Sequence, residues 1–210
     1  MEVYSEKQLG ILFVAERLFA DKGFHGTSVR DIAQEADVNI AMISYYFGSK
    51  EKLLEAVFRY RMNASRSFIQ ELVQNDTMGP MEKLYALIDR FVNKLLNEQN
   101  FQCIMNREQM NRDQSPVKDL IWDLKVEMMG LIQPIVTKAQ EDGTFYKDVD
   151  VVLLMSTLFG TIHQVMPAKS FIRSEPEFAH MPEDEFREYL KIRVSAYLKK
   201  LFKAILTHEF

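Results

Sequence analysis

The stretch TSVRDIAQEADVNIAMISYYFGSKEKLL, from Thr27 to Leu54, decides how the whole chain is interpreted. Apolar residues recur in it at helical spacing in two short segments, which a turn around Asp37 separates. Helices of about eight residues are not stable on their own in water. The two segments therefore need packing from the rest of the chain, and their exposed aromatic residues need an explanation.

Polar residues and a glycine predict where the two short helices begin and end. Thr27 or Ser28 is a candidate N-cap for the first helix and Asn39 for the second, because short polar side chains accept bonds from the free N–H groups of a first turn. Gly48 is expected to end the second helix, predicted over residues 40–47. This arrangement is a helix-turn-helix.

The residues of this stretch separate into an inner and an outer face. The inner face is expected to pack against a preceding helix and consists of Val29, Ile32, Ala33, Val38, Ile43 and Phe47. The outer face of the second helix consists of Ile40, Ala41, Met42, Ser44 and Tyr45. Such a face suits the major groove of DNA, which admits one helix held by a scaffold. An ordinary helical hairpin in a bundle has the same periodicity, so the pattern alone leaves both interpretations open.

Residues 11–54 resemble the N-terminal domain of the TetR family of bacterial one-component transcriptional regulators. The resemblance rests on Ile11-Leu12, Ala15, Leu18-Phe19, Gly23-Phe24, Thr27, Val29-Arg30-Asp31-Ile32-Ala33, Ala36, Val38, Tyr46-Phe47, Ser49-Lys50 and Leu53-Leu54. It implies an all-α protein with a three-helix DNA-binding domain at residues 1–48 and a helical ligand-binding and dimerisation domain at 49–210. It also implies a dimer that binds a palindromic operator and is most often a repressor.

Three positions depart from the family's usual pattern. Asp37 stands where the family usually has glycine, and aspartate tolerates left-handed backbone better than most residues. Ser44 stands where an aromatic residue is common, and Ile40 where lysine or proline is common. The last two positions face DNA in the family, so the departures affect which operator is read.

Contacts to the DNA backbone cannot rest on bulk positive charge, because residues 1–62 contain eight Lys or Arg and nine Asp or Glu. Thr27, Ser28, Asn39 and Lys50 stand at predicted helix starts, where N–H groups favour phosphate. The resemblance implies backbone contacts by Thr27, Tyr46 and Lys50. Capping or packing is the alternative role for the neutral residues of this group.

Base reading is expected from the outer face of the second helix. Ser44 can donate or accept at a base edge, and Ala41 or Met42 can pack against a thymine methyl group. Arg30 is the candidate guanine reader, with a phosphate contact or a structural ion pair as alternatives. Few cations contact DNA in this arrangement, so the affinity is expected to depend only moderately on salt.

The remaining chain also has the pattern of long helices. A buried helix is predicted over residues 151–166, a loop over 167–182 and a last helix from Glu183 to Leu206. These two helices have more apolar surface than one contact needs, and Gly160 permits close approach, so they are the predicted homodimer interface. The alternative is that they only complete the core of the monomer.

The resemblance further implies a small-molecule effector, expected to be largely apolar, in the C-terminal domain. The candidate ligand-binding residues are Met105, Glu108, Trp122, Met129, Gln133 and His163. Methionine and tryptophan at helical spacing are also ordinary core residues, and a buried histidine is often structural. Each candidate therefore has a purely structural alternative.

Composition excludes several classes of protein. The 210 residues are 47% apolar and 27% charged, with no uninterrupted apolar run of the roughly 20 residues that a membrane span needs. The N-terminus has no export-signal pattern, and the single Cys103 suits a reducing cytoplasm, so a cytoplasmic protein with no membrane partner is expected.

An enzyme is not expected, because the chain lacks the residue patterns of a catalytic or metal site. The histidines at 25, 163, 180 and 208 are scattered, and no glycine-rich phosphate loop follows a strand. No cofactor or metal is predicted. The remaining alternative is an all-α partner-binding protein whose helix-turn-helix no longer binds DNA.

Overall fold

The computed structural model describes residues 4–111 and 114–207, apart from the side chains of Leu95 and Met166. Within these ranges the chain forms nine α-helices and no β-strand. The helices are α1 (Glu6–Lys22), α2 (Val29–Glu35), α3 (Ile40–Phe47), α4 (Lys50–Gln74), α5 (Pro80–Asn97), α6 (Gln99–Met110), α7 (Lys118–Glu141), α8 (Val151–Arg173) and α9 (Glu183–Thr207). The predicted all-α class is confirmed for this part of the chain. His208 lies outside it.

Packing divides the chain into two compact units. The first unit contains residues 4–68, 98–111 and 114–128, and the second contains residues 69–97 and 129–207. The first unit therefore holds the helix-turn-helix together with the beginning of α4, all of α6 and the beginning of α7. The predicted functional boundary between residues 48 and 49 stays a prediction.

In the first unit, α1 packs against both α2 and α6. Ser5 caps α1 by accepting a bond from the Gln8 amide at 3.3 Å, and Gly23 ends the helix with φ at 76°. The core around α1 is apolar and includes Leu12, Ala15, Phe19, Ile32, Ile43, Leu53, Phe58 and Phe101. Its burial supplies the stability that α2 and α3 lack on their own.

An ion pair in the first unit joins α4 to α1. The Arg61 guanidinium donates to the Glu16 carboxylate through Nε at 2.7 Å and Nη2 at 2.9 Å, and Glu98 lies 3.4 Å from Nη1. Burial disfavours the charged form of Arg61, but the bonds to Glu16 and the carboxylate charges outweigh it and raise the pKa of Arg61. Glu16 is itself buried. Removing one partner would therefore leave an uncompensated buried charge.

In the second unit, α5 packs against α8 and α9, and α8 packs against α9. The Phe91 and Phe159 rings meet edge to face with centroids 5.0 Å apart. Lys199 on α9 donates to Asp89 on α5 at 2.6 Å, and Ser195 contacts the same carboxylate. One face of α9 is buried throughout its length, with Phe186, Leu190, Val194, Leu198, Phe202 and Leu206. α9 is thus fixed along one side only.

Helix α8 continues past its predicted end. The loop predicted from residue 167 is wrong in its first part, because the helix runs through Pro167 to Arg173. Proline removes one backbone donor and bends a helix. Val151–Val165 and Pro167–Arg173 accordingly meet at 56°. Among the described residues, no single helix is long and apolar enough to cross a membrane, and these two segments meet that test only when counted together.

Candidate nucleic-acid interface

Helix α2 begins with a reciprocal cap. Ser28 Oγ accepts a bond from the Asp31 amide at 3.1 Å, and the Ser28 amide donates to Asp31 Oδ2 at 3.0 Å. The Ser28 hydroxyl also lies 2.7 Å from that carboxylate, and this bond lowers the pKa of Asp31. Ser28 is therefore the N-cap of α2, which confirms the second of the two candidates, Thr27 and Ser28. Its side chain is exposed but already engaged.

The turn between α2 and α3 depends on one residue in left-handed conformation. Asp37 has φ at 52°, the only non-glycine residue with positive φ in the described chain. The expectation that aspartate can replace the family's glycine here is confirmed. Asn39 then caps α3, because its Oδ1 accepts a bond from the Ala41 amide at 2.9 Å.

Helix α3 has a buried back and an exposed front. Ile43 is 1% exposed and Phe47 is buried with it, whereas Ile40 is 42% exposed and Tyr45 83% exposed. Ala41 and Ser44 are also exposed. The predicted outward orientation is confirmed for these four residues.

Met42 and Tyr46 differ from the simple two-face pattern. Met42 is half-buried, so only part of its side chain is available on the outward face, and its contact with DNA stays a prediction. Met42 is the third residue after the Asn39 cap and lies between the buried back and the exposed front of α3. Tyr46 is also half-buried, with its ring 5.2 Å from that of Tyr45 and 6.4 Å from that of Phe47. Both side chains border the exposed front.

Thr27 has an internal role that its position at a helix start did not reveal. Its side chain is 1% exposed, and the hydroxyl lies 2.8 Å from the Gly23 carbonyl and 3.1 Å from the Leu18 carbonyl. The hydroxyl is therefore engaged within the protein, and a phosphate contact by Thr27 stays a prediction. It bonds two carbonyl groups near the end of α1 and so fixes the following turn to that helix.

Lys50 also faces inward more than expected. Its ammonium donates to the carbonyl oxygens of Phe24 and Thr27, both at 2.9 Å, and lies 4.2 Å from the centre of the Phe24 ring. The side chain is half-buried and fixes residues 24–27 against the start of α4. A phosphate contact by Lys50 would have to use its remaining N–H.

Arg30 is a charged residue of the candidate DNA-binding surface whose side chain is not held by other described residues. It is exposed on α2 and forms no ion pair or hydrogen bond within the described residues. The alternative of a structural ion pair is thus not what the structure contains. Helix α3 itself carries no charged residue. The candidate DNA face consequently combines one free guanidinium with an uncharged helix.

The six candidate ligand residues do not belong to one compact unit. Met105, Glu108 and Trp122 lie in the first unit, and Met129, Gln133 and His163 lie in the second. Glu108 is 6% exposed, whereas Trp122 is 61% exposed and so does not line an enclosed cavity.

The second-unit candidates have mixed surroundings. Gln133 is exposed and donates to Thr137 Oγ1 at 3.2 Å, while Met129 and His163 are half-buried. No group of three or more His, Cys, Asp or Glu suited to a metal ion occurs in the part of the chain that the structure describes.

Family profiles match nearly the whole chain. Residues 11–57 match the bacterial regulatory proteins of the tetR family, and residues 58–201 match the C-terminal region of YsiA-like proteins.

Curated relatives are regulators. The chain is 24% identical over 160 residues to the fatty acid metabolism regulator protein of Bacillus subtilis, covering 76% of this chain and 81% of that protein. It is 28% identical over 145 residues to the transcriptional repressor KstR2 of Mycolicibacterium smegmatis, covering 69% and 70%. It is 29% identical over 140 residues to the repressor NicS of Pseudomonas putida, covering 66% of each.

Solved structures share the fold. FadR from Bacillus subtilis in complex with stearoyl-CoA superposes with a TM-score of 0.68 at 22% identity, over 90% of this chain and 96% of that one. KstR2 of Mycobacterium tuberculosis superposes with a TM-score of 0.70 at 20% identity, over 99% and 98%. The chain therefore belongs to the tetR family of bacterial regulatory proteins and is a ligand-modulated, DNA-binding transcriptional regulator.

Proposed function

We propose that this protein is a dimeric repressor that inserts helix α3 of each copy into neighbouring major grooves of a palindromic operator. The observation that carries the proposal is the front of α3. Tyr45 is 83% exposed on a helix whose opposite side is buried and whose N-terminus is capped. An uncharged aromatic residue held rigidly in solvent suits a surface that a partner covers. We take this partner to be DNA, and we expect the protein to act in the cytoplasm.

The contacts divide between base edges and backbone. Ile40, Ala41, Ser44 and Tyr45 would meet the bases, with Met42 at their edge. Ser28, Asn39 and Tyr46 would approach phosphates, Asn39 through the exposed N-terminus of α3. Arg30, Lys50 and the Thr27 backbone complete the proposed set. Arg30 is the member best placed for a strong contact, because its guanidinium has no internal bond to give up.

The second copy would pack on the outer faces of α8 and α9. These faces carry exposed apolar side chains: Val152, Leu153 and Phe171 on α8, and Ile192 and Tyr197 on α9. A Cβ atom added at Gly160 would meet nothing within 4 Å, so this position leaves room for a neighbouring helix. Five large exposed apolar residues on two adjacent helices are typical of a surface that another chain covers. This surface supports a symmetric dimer.

The effector would be a large, mainly apolar molecule held by the second unit, and its binding would release the operator. The relatives named as binding stearoyl-CoA or as a ketosteroid regulator point to ligands of this kind. Helices α5 and α8 of the second unit carry mainly apolar inner residues, among them Leu87, Phe91, Leu158 and Ile162. Stearoyl-CoA is the first probe to use.

The direct test is fluorescence anisotropy with labelled DNA from upstream of the protein's own gene. Wild type should bind a short segment specifically, and Tyr45→Ala should weaken binding about tenfold or more, because a base contact is lost in each half-site. Met110→Ala is the matched control, since Met110 is equally exposed in the same unit but lies outside the helix-turn-helix. Equal affinity of both variants would contradict the proposal.

Adding stearoyl-CoA to the complex then tests the effector. Release by stearoyl-CoA, with no release by coenzyme A or stearate alone, is the expected result. A protein that binds no upstream segment at all would favour the alternative, in which the helix-turn-helix serves a protein partner.

A further inference from the structure

The first unit contains a surface cleft of about 270 Å³ at the end of α1. Its walls are the C-terminal end of α1, the turn over residues 23–26 and the C-terminal end of α6. The lining residues include Asp21, Phe24, His25, Arg107, Glu108 and Asn111. A liquid water molecule occupies about 30 Å³, so the cleft has room for a small organic molecule. The exposed face of α3 does not contribute to it.

Glu108 is an unusual residue to find in this wall. Its side chain is 6% exposed, yet it forms no hydrogen bond and no ion pair within the described residues. A carboxylate that is largely removed from water without a partner loses part of its hydration with no bond to replace it. Buried carboxylates are normally paired or bonded. Glu108 is thus a mostly buried carboxylate that has no partner among the described residues and lines the cleft.

The cations that line the cleft are not that partner. The Arg107 guanidinium donates to the carbonyl oxygens of Phe19 at 2.8 Å and Ala20 at 3.1 Å, where it caps the end of α1. Lys22 and His25 lie in the lining, but neither forms an ion pair with Glu108. The Arg107 guanidinium therefore binds the end of α1 and not the Glu108 carboxylate.

The other lining groups favour an organic cation. Asp21 adds a second carboxylate, 3.9 Å from Arg17 Nη1, and the C-terminal end of α1 adds partial negative charge beside Lys22 and Arg107. The Phe24 and His25 rings line the cleft with centroids 5.3 Å apart. Carboxylates beside aromatic rings are the combination that recognises organic ammonium groups.

We propose that this cleft binds a small organic ammonium compound, with Glu108 as the ion-pair partner of its nitrogen. The site lies wholly in the first unit and is separate from the apolar effector site proposed for the second. The inference does not rest on DNA binding, because its test needs no DNA.

The test is isothermal titration calorimetry of the full-length protein with putrescine, at constant ionic strength. Its uncharged diol analogue of the same chain length is the comparison ligand. Putrescine should bind at least about tenfold more tightly than the diol, because only the ammonium pairs with the carboxylate. Glu108→Gln, which keeps the shape of the side chain, should abolish that preference.

Asp123→Asn is the matched control variant. Asp123 is exposed on α7 in the same unit and has no bond within the described residues, so this variant removes one negative charge far from any partner. It should keep the wild-type preference for putrescine. Absence of binding, equal binding of putrescine and the diol, or equal loss in both variants would each overturn the proposal.

Thermal unfolding without ligand gives a second readout. Glu108→Gln should unfold at a higher temperature than wild type, because it removes an unpaired buried charge. A lower unfolding temperature would show that Glu108 already has a stabilising partner, and would overturn the proposal.

Discussion

Two regions of the molecule expose apolar side chains to solvent, but the structure holds them in different ways. Helix α3 has eight residues and depends on its cap, its neighbouring turn and two buried side chains, Ile43 and Phe47. Helices α8 and α9 have 23 and 25 residues, and a continuous buried side anchors α9. Exposure is therefore not a sign of poor packing in either region.

The difference indicates what kind of partner each surface suits. The front of α3 is small and mixed, with one serine hydroxyl among apolar groups, which suits the edges of a few base pairs. The outer faces of α8 and α9 are larger and mainly aliphatic and aromatic, which suits another protein surface. Substitutions can alter either surface without altering the other, so the partner expected for each surface can be tested separately.

The largest effect is expected from a charge on the outer face of α8. Leu153→Glu should convert the dimer to a monomer and lower operator affinity about a hundredfold or more, because the two half-sites are then bound independently. Light scattering after gel filtration and anisotropy measure the two effects. Val126→Glu, at an exposed apolar site on α7, is the control and should stay dimeric. A dimeric Leu153→Glu protein would exclude this face as the interface.

Loss of the ion pair between α1 and α4 should have the next largest effect. Arg61→Ala leaves the buried Glu16 carboxylate unpaired and should lower the free energy of unfolding by about 3 kcal/mol. Arg66→Ala removes the exposed pair with Glu127, 3.0 Å apart, and should cost under about 1 kcal/mol. Urea unfolding measures both. Similar losses in the two variants would mean that burial of the Glu16–Arg61 pair has no energetic consequence.

The salt dependence of operator binding tests the uncharged character of α3. Affinity should fall with salt at a slope that corresponds to fewer than about ten released ions per dimer, because the proposed contact set contains two cations per copy, Arg30 and Lys50. Anisotropy at a series of potassium chloride concentrations gives the slope. A steeper dependence would mean that cations outside the proposed contact set bind phosphate.

The smallest expected effect concerns the start of α9. Lys169, and then Arg173, lower the pKa of Glu183 below its ordinary 4.5. A lowered pKa stabilises the fold above the unfolded-state value, and this contribution is lost as the pH falls through the folded-state value. Acid unfolding of Glu183→Gln should lack this component. Glu185→Gln, in the same turn, should retain it; identical profiles would show that the pairing contributes nothing.

Local signals in the sequence predicted the helix-turn-helix well. The bounds of α3, the Asn39 cap and the tolerance of Asp37 for left-handed backbone all follow from residues within one turn of the feature. The same reasoning failed at Pro167, because a proline can bend a helix as well as end it and nothing nearby decides between the two.

Contacts between distant residues were not predictable from local pattern. Thr27 bonds Leu18, Lys50 bonds Phe24, and Arg107 bonds Phe19 across 88 positions of sequence. Each of these polar groups ends a helix or fixes a turn that another part of the chain supplies. The roles predicted for Thr27 and Lys50 from their positions alone therefore missed the bonds that these side chains form within the protein.

Hydroxyl-radical footprinting of the protein on DNA from upstream of its own gene tests the central claim most directly. Two α3 helices in one dimer should protect two symmetric half-sites on the same side of the duplex, with centres about ten base pairs or a multiple of that apart. At the protein concentration at which wild type protects both half-sites, Tyr45→Ala should protect neither. Protection of a single stretch without symmetry, or protection that survives in Tyr45→Ala, would contradict the account.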